Sequence, residues 1–241
     1  MGIPEAIETI QERIQKACAR SGRKAEEVRL MGVSKFHDPP AIEEAWKAGI
    51  RLFGESRVQE AAAKFPDFKA AHPETELHMI GSLQRNKAKI VTGRIAEGYL
   101  FDAVQSVDRD ELIKELGRLT GDRKNPTINP LMILLEYHTA EDSKSGYTGL
   151  DSLFRAAETA LEYPGLALRG LMTMAPLTED DAPIRASFRA MVSAQGALAA
   201  RFPAADWSCL SMGMSGDFEI AIEEGSTLIR IGTAIFGARN P

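Results

Sequence analysis

The 241-residue chain has only two cysteines, Cys18 and Cys209, which lie far apart and show no C-x-x-C spacing. This scarcity argues against a disulfide framework and against a cysteine zinc site. No run of about 18 apolar residues occurs, so no membrane span is predicted. The N-terminal segment lacks the basic start and apolar core of a signal peptide. These absences predict a cytoplasmic protein in a reducing compartment.

Strong charge of either sign is also absent. The chain has 29 Lys and Arg residues against 34 Asp and Glu residues, a formal net charge of −5, and no long basic block. Nucleic-acid and membrane partners are therefore not expected. The histidines, His37, His72, His78 and His138, are scattered without an HExxH pair, and no GxSxG motif occurs. The sequence predicts neither a metal site nor a serine nucleophile.

Short apolar runs alternate with helical patterns along the chain. Several runs are continuously apolar, as strands covered on both faces should be. Strict strand–helix alternation predicts a parallel sheet, and eight such units in 241 residues fit an α/β fold, the (β/α)8 TIM barrel. The eight runs are VRLMGVS (28–34), IRLFGE (50–55), ELHMIG (76–81), LFDAVQSV (100–107), LMILLEYH (131–138), LALRGLMTM (166–174), WSCLSMG (207–213) and STLIRIG (226–232).

An extra helix is predicted before the first strand. Ile7, Ile10, Ile14 and Cys18 fall on one helical face, and this helix is expected to cover part of the place of an eighth helix, for which little chain follows the last run. The competing fold is an open doubly wound sheet. It usually carries GxGxxG or GxxxxGK[ST] after its first strand, where this chain has SKFHDPP. No linker divides the chain, so residues 1–241 are predicted to form a single domain.

A lysine, Lys35, ends the first apolar run. It is either an ordinary surface lysine or an amine that forms an imine with an aldehyde. At the rim of an apolar wall, the charged form of a lysine loses solvation, its pKa falls, and the neutral amine becomes a nucleophile. The carboxyl ends of barrel strands hold the active sites of this fold, which favours the second interpretation.

Two loops rich in glycine and hydroxyl residues, SMGMSGD and RIGTAIFG, follow the last two strands. Such loops are often ordinary turns, but this corner of the barrel is where phosphate groups usually bind. Backbone N–H groups at the glycine turns, with the hydroxyls of Ser215 and Thr233, can hold an anion, and Gly232 permits close approach. A lysine for an aldehyde and a cup for a phosphate together suggest pyridoxal 5′-phosphate (PLP).

The sequence also resembles the pyridoxal phosphate homeostasis protein family, whose members look like the N-terminal barrel of alanine racemase, a PLP fold type III. The matching segments span nearly the whole chain in order. They include GVSKFHDPPAIEEAWKAGIRLFGESRVQE, HMIGSLQRNK, DSKSG, RGLMTMAP and LSMGMSGDFEIAIEEGSTLIRIGTAIFGAR. The resemblance implies that PLP is covalently attached to Lys35 as a Schiff base, and that Ser215, Gly232 and Thr233 surround its phosphate.

The resemblance further implies that Arg230 lies beside the pyridine nitrogen of PLP. Without it, we would interpret Arg230 as a member of a structural ion pair. A cationic neighbour disfavours protonation of the ring nitrogen, which makes the ring a weaker electron sink and transaminase chemistry less favourable.

This chain departs from the family pattern after the second strand, where GESRVQE replaces G-E-N-Y-V-Q-E. Ser56 stands in place of an asparagine expected near the cofactor, and Arg57 in place of a tyrosine. Ser56 is still predicted to bind PLP, with a hydrogen bond lost or bridged by water. Lys144, in the family's SKSG motif, is interpreted as a solvated loop lysine that could also contact the rim of the ligand site.

The leading hypothesis for function is a PLP-binding protein of intracellular vitamin B6 homeostasis. It would hold PLP without robust turnover, so no catalytic residue is assigned, and apo PLP-dependent enzymes are possible transient partners. The alternative is an amino-acid racemase of the alanine racemase type. That enzyme needs a second base, a tyrosine from a C-terminal domain that this sequence lacks. A third reading is a protein-interaction module. The absent racemase domain builds the dimer, so the resemblance favours a monomer.

Overall fold

A computed structural model describes residues 2–95, 98–121, 129–139 and 145–237. The strands are β1 (Arg29–Val33), β2 (Leu52–Glu55), β3 (Glu76–Met79), β4 (Arg94–Ile95), β5 (Gly98–Tyr99), β6 (Ala103–Val107), β7 (Leu131–Glu136), β8 (Leu166–Met172), β9 (Cys209–Ser211) and β10 (Leu228–Ile231). The helices are α1 (Ile3–Arg20), α2 (Pro39–Lys47), α3 (Val58–Ala71), α4 (Ala88–Val91), α5 (Asp110–Thr120), α6 (Leu150–Leu161), α7 (Asp181–Arg201), α8 (Phe218–Glu223) and α9 (Thr233–Phe236).

Eight parallel strands close into a barrel in the order β1-β10-β9-β8-β7-β6-β3-β2. Each contains part of one predicted apolar run, so the predicted (β/α)8 barrel is confirmed. The two remaining strands, β4 and β5, form a small antiparallel pair between β3 and β6 that the sequence patterns did not predict. Each has two residues, too few for a recognisable alternation.

Helix α1 is the predicted extra helix before the first strand. It packs against α2, α8 and α9, and α9 has only four residues. The buried face of α1 includes Ile7, Ile10 and Ile14. Burying such side chains contributes about 1.5–3 kcal/mol each. Because α1 covers the barrel from outside, it completes the helical layer beside β1 and β10.

The predicted start of α5 needs a correction. Asp108, with Glu111 three residues later, is a sequence pattern that predicts Asp108 as the N-cap of α5. The N-cap is instead Arg109, and no side chain caps the helix. The Asp108 carboxylate instead accepts a hydrogen bond from the Arg109 guanidinium, which also donates to the Leu83 carbonyl oxygen at 2.6 Å. An ion pair with its neighbour has replaced the capping hydrogen bond.

Alternation along the strands divides the buried residues into two groups. Met31, Val33, Leu52 and Leu228 form a small apolar cluster inside the barrel, separate from the larger core between the strands and the helices. Residues two apart on a strand point to the same face. The interior therefore receives every second residue of each strand, and it also contains buried polar side chains, as described below.

No helix in the described parts of the chain is both long enough and apolar enough to cross a membrane.

A bulge in β8 brings one glycine close to the neighbouring strand. The pairing of β7 with β8 shifts between Ile133 and Leu134, where Leu134 pairs with Gly170. Gly170 has φ 142°, and a Cβ there would overlap the carbonyl oxygen of Cys209 on β9. Both the dihedral angle and the space require glycine at this position.

We expect Gly170→Ala to lower the free energy of unfolding by more than about 2 kcal/mol, because the methyl group can only be placed by moving β8 away from β9. Urea denaturation followed by circular dichroism would measure it. Gly196→Ala is the matched control, since Gly196 lies within α7 and nothing lies within 4 Å of the position that a methyl group would take there. That change should stabilise the helix by up to about 1 kcal/mol. Equal stabilities for both variants would contradict the close approach.

Candidate functional site

The lysine singled out by the sequence lies at the carboxyl-terminal mouth of the barrel. The strand β1 ends at Val33, and Lys35 is a half-buried residue in the turn that follows. Met31 and Val33 face the interior, and Ser34 faces outward to Glu55. The alternation of β1 therefore places Lys35 on the inward side of the turn.

Helix α3 holds this turn through a half-buried lysine, Lys64. Its ammonium lies 3.2 Å from the Ser34 carbonyl oxygen and 3.1 Å from that of His37, one on each side of Lys35. It also lies 2.8 Å from Glu55 Oε1 and 2.9 Å from Glu60 Oε1. Three ammonium protons thus serve four acceptors. The backbone at Lys35 is fixed on both sides by one side chain of the helical layer.

Two carboxylates complete this cluster. The Phe36 N–H donates to Glu60 at 2.6 Å, which stabilises Phe36 in the left-handed region, at φ 68°. Glu55 is 0% exposed, its Oε1 accepts from the Ser34 hydroxyl at 2.7 Å, and its Oε2 has no partner among the described residues. Burial raises the pKa of Glu55, against the opposing effect of Lys64. Burial also acts on Glu60, but Lys64 and the Phe36 N–H outweigh it and lower the pKa.

The guanidinium of Arg230 lies inside the barrel, where Arg230 is 5% exposed. Its Nη1 donates to the carbonyl oxygen and to the hydroxyl of Ser211, at 2.6 and 2.7 Å, and its Nη2 donates to the Thr173 carbonyl oxygen at 2.8 Å. Burial lowers the pKa of Arg230 to about 10, although Asp217 and Glu136 oppose this. The side chain is therefore a cation at neutral pH. Of its five N–H groups, three make these hydrogen bonds. The Nε–H and the second Nη2–H make none to any described residue, so two donors remain for a ligand.

The two loops predicted to bind phosphate lie side by side. The Ala234 N–H approaches the Ser215 hydroxyl at 3.4 Å, which joins the loop after β9 to the loop after β10. Gly232 lies against Val33, so this corner adjoins the strand that carries Lys35. Among the described residues, the backbone N–H groups of Ser215, Gly232 and Thr233 have no acceptor. Unpaired N–H groups in two adjoining turns suit an anionic group.

A buried carboxylate that the sequence interpretation missed also faces the mouth. Glu136 is 4% exposed and ends β7, which lies four strands from β1 in either direction around the barrel. Burial raises its pKa, while the Ser145 hydroxyl, which donates to Oε1 at 2.7 Å, and Arg230 lower it. The signal was available, because Glu136 is a charged residue near the end of an apolar run, as Lys35 is.

The remaining predicted residues have no described contact with Arg230. Ser56 is half-buried and lines a separate cavity of about 270 Å³ with Met79 and Gln84, and no described hydrogen bond links it to Arg230. Arg57, the substituted tyrosine position, places its guanidinium 4.6 Å from the centre of the Phe36 ring. Lys144 lies outside the described residues.

Comparison with known proteins identifies the family. Residues 6–240 match the family described as alanine racemase, N-terminal domain. A Vibrio alginolyticus protein named pyridoxal phosphate homeostasis protein is 39% identical over 241 residues, covering 99% of this chain and 98% of that protein. The chain belongs to the pyridoxal phosphate homeostasis protein family. A relative of the same name from Escherichia coli K12 is also 39% identical, covering 99% of this chain and 97% of its own.

Solved structures agree with this family and with its fold. PipY of Synechococcus elongatus, in a structure with PLP bound, is 35% identical with a TM-score of 0.79, covering 95% of this chain and all of that one (100%). Alanine racemase of Bacillus anthracis has a TM-score of 0.69 at 16% identity, covering 99% of this chain and 57% of that one, which shows the fold alone. The predicted family and barrel are confirmed, whereas the predicted roles of individual residues stay predictions.

We expect Lys64→Met to lower the free energy of unfolding by about 3–5 kcal/mol, because it leaves the Glu55 carboxylate buried beside a single hydroxyl. The loss should shrink as the pH is lowered, since protonated Glu55 no longer needs a cation. The double variant Glu55→Gln/Lys64→Met should recover part of the loss. Urea denaturation at several pH values measures all three.

The matched control for this experiment is Lys47→Met, which removes an exposed lysine paired with Glu43 on α2. It should change stability by less than about 0.5 kcal/mol. An equal effect of the two lysine substitutions would show that the cluster beneath Lys35 does not depend on the Lys64 cation.

Proposed function

We propose that this chain binds PLP through Lys35 and acts in intracellular PLP homeostasis, as a carrier without sustained catalytic turnover. The main support is the PLP-bound structure of PipY, a relative at 35% identity over 95% of this chain. The naming of the curated relatives adds the homeostasis role. The site fits such a ligand, since an inward lysine, a buried cation and a loop pair with unpaired N–H groups share one mouth.

Each predicted residue has a distinct part in this proposal. Lys35 supplies the amine for covalent attachment. Ser215, Gly232 and Thr233 bind the phosphate through N–H and hydroxyl donors, and Ser56 contacts the ring substituents directly or through water. The cluster around Lys64 orients the Lys35 turn. Bound PLP would supply a reactive aldehyde on an electron-withdrawing ring.

The charge of Arg230 favours holding the cofactor over catalysis. Arg230 would direct its unpaired Nε–H at the pyridine nitrogen. Because a cation beside that nitrogen disfavours its protonation, the ring withdraws electrons less strongly than one paired with a carboxylate. The cation beside the ring nitrogen disfavours transamination most. It does not argue against racemase chemistry to the same degree.

The wider setting is part of the same proposal. A carrier of this kind would work in the cytoplasm as a monomer whose residues 1–241 form one domain. Its partners would be PLP itself and, transiently, apo enzymes that take PLP from it.

We expect the purified protein, incubated with PLP, to absorb near ~420 nm, and borohydride to fix the ligand on the peptide that contains Lys35. Lys35→Ala should lose both signals, whereas Lys16→Ala, an exposed lysine on α1, should keep them. Mass spectrometry of the reduced protein locates the adduct. Normal PLP retention by both Lys35→Ala and Arg230→Ala would contradict the cofactor role and favour an interaction module.

The alternative function, an amino-acid racemase, has one observation in its favour: the buried carboxylate of Glu136 faces the mouth from the strand opposite Lys35. We expect the PLP-loaded protein to racemise L-alanine well below an ordinary enzyme rate of about 1 s⁻¹. Optical rotation, with an alanine racemase as positive control, measures this. If the wild-type protein sustains turnover and Glu136→Gln abolishes it, the chain is an enzyme and not a carrier.

A further inference from the structure

Four buried polar side chains form a continuous hydrogen-bonded path inside the barrel, here called the polar chain: Arg230, Ser211, Gln105 and His78. Arg230 Nη1 lies 2.7 Å from Ser211 Oγ, which lies 2.6 Å from Gln105 Oε1. Gln105 Nε2 lies 2.8 Å from His78 Nδ1. The residues come from β10, β9, β6 and β3, so the path crosses the barrel from one wall to the other.

With the Gln105 amide oriented as in the structure, donor chemistry fixes the direction of every hydrogen bond in the polar chain. Arg230 can only donate, so Ser211 Oγ accepts from it, and the hydroxyl proton of Ser211 is left for Gln105 Oε1. The amide nitrogen of Gln105 then faces His78 and can only donate. His78 Nδ1 must therefore accept, which leaves the ring proton on Nε2.

The far end of the polar chain reaches the opposite end of the barrel from Lys35. His78 is 1% exposed, and its Nε2 has no hydrogen-bond partner among the described residues. The nearest carboxylate oxygen, Oε2 of Glu76, is 3.6 Å away, too long for a hydrogen bond. His78 lines a cavity of about 510 Å³ there, together with Met132 and Cys209. An Nε2–H would lie 3.6 Å from the Glu76 carboxylate, which favours a donor at that ring atom.

We propose that Ser211 and Gln105 are positioning residues for Arg230, and that the polar chain makes Nδ1 of His78 an acceptor, with the ring proton on Nε2. The first half rests on the proposed function, because it concerns the guanidinium offered to PLP. The second half concerns the protein alone.

Positioning follows from how the guanidinium is held. Arg230 Nη1 donates to both the carbonyl oxygen and the hydroxyl of Ser211, and Nη2 donates to the carbonyl oxygen of Thr173. These contacts fix the plane of the guanidinium and leave the Nε edge unused. The hydroxyl of Ser211 can only accept from Arg230 while its own proton goes elsewhere, and Gln105 Oε1 receives it. Gln105 thereby keeps Ser211 oriented as an acceptor.

The competing arrangement has the Gln105 amide turned over. Its nitrogen would then face Ser211, its oxygen would accept from a protonated His78 Nδ1, and the Ser211 proton would lose its acceptor. Amide orientation is assigned from such networks, so the two arrangements need a direct measurement. They differ in which ring nitrogen of His78 carries the proton.

The test is a long-range ¹⁵N–¹H correlation spectrum of the labelled protein without cofactor at neutral pH, with His78 assigned by its loss in His78→Asn. The chain has four histidines, which makes assignment simple. We expect an unprotonated Nδ1 and a protonated Nε2. Gln105→Glu should reverse this, because a carboxylate accepts only and His78 Nδ1 must then donate. A protonated Nδ1 in the wild-type protein would overturn the inference.

Ser211→Ala tests whether the effect travels along the polar chain. Without the hydroxyl proton, Gln105 can take either orientation, so His78, which does not touch Ser211, should show both tautomers. Ser187→Ala removes another buried hydroxyl, one hydrogen-bonded to Thr139 outside the polar chain, and should leave His78 unchanged. If the tautomer of His78 is unchanged in both variants, Ser211 does not determine the direction of the hydrogen bonds in the polar chain.

PLP binding tests the positioning of Arg230. Loss of one hydrogen bond to a charged donor should weaken PLP binding to Ser211→Ala by about tenfold relative to Thr120→Val, measured by absorbance titration. Thr120→Val removes a buried hydroxyl that is hydrogen-bonded within α5. Equal affinity of the two variants would overturn the positioning role. Failure of the wild-type protein to bind PLP would instead overturn the proposed function, and the tautomer of His78 would still decide the second half.

Discussion

The site depends on the closure of eight parallel strands into one barrel, because closure directs alternate side chains of every strand into a single shared interior. Arg230 and Ser211 come from β10 and β9 and Lys35 from the turn after β1, and without closure they would lie along a sheet surface. The pairing of β1 with β10 is the decisive contact. It brings the turn after the first strand beside the loop after the last, so that Lys35 adjoins the backbone N–H groups of Gly232 and Thr233.

Two cations with little exposure, Lys64 and Arg230, are stabilised in different ways, and the difference matches their positions in the fold. Lys64 lies between the strands and the helices and is compensated by two carboxylates, which makes its cluster a structural clamp. Arg230 lies in the interior and is held by carbonyl and hydroxyl oxygens, without a carboxylate in direct contact. Asp217 and Glu136 act on its charge without a described hydrogen bond to it.

Much of the fold could be predicted from the sequence, because each barrel strand is a local apolar run and each helix a local periodicity. Lys35 and the two glycine-rich loops were found because they directly follow such runs. The cluster around Lys64 was not, since nothing in the spacing of Lys64 within α3 distinguishes it from a surface lysine. The same limit applies to Gln105 and Ser211, which are 106 residues apart in sequence and meet only across the closed barrel. Asp108 shows the opposite error, where a local capping pattern was overridden by an adjacent arginine.

The helix that covers the gap in the outer layer has a kinetic consequence. Arg13 of α1 bonds Glu219, 206 residues later, and Arg20 bonds Glu219 and Glu223. Contacts of such sequence separation are slow to form, because the closure entropy of a very long loop opposes them. The seam between β1 and β10 should thus be among the late events of folding, with α1 as the latch over it. Partly folded molecules would expose two unpaired strand edges until that latch engages.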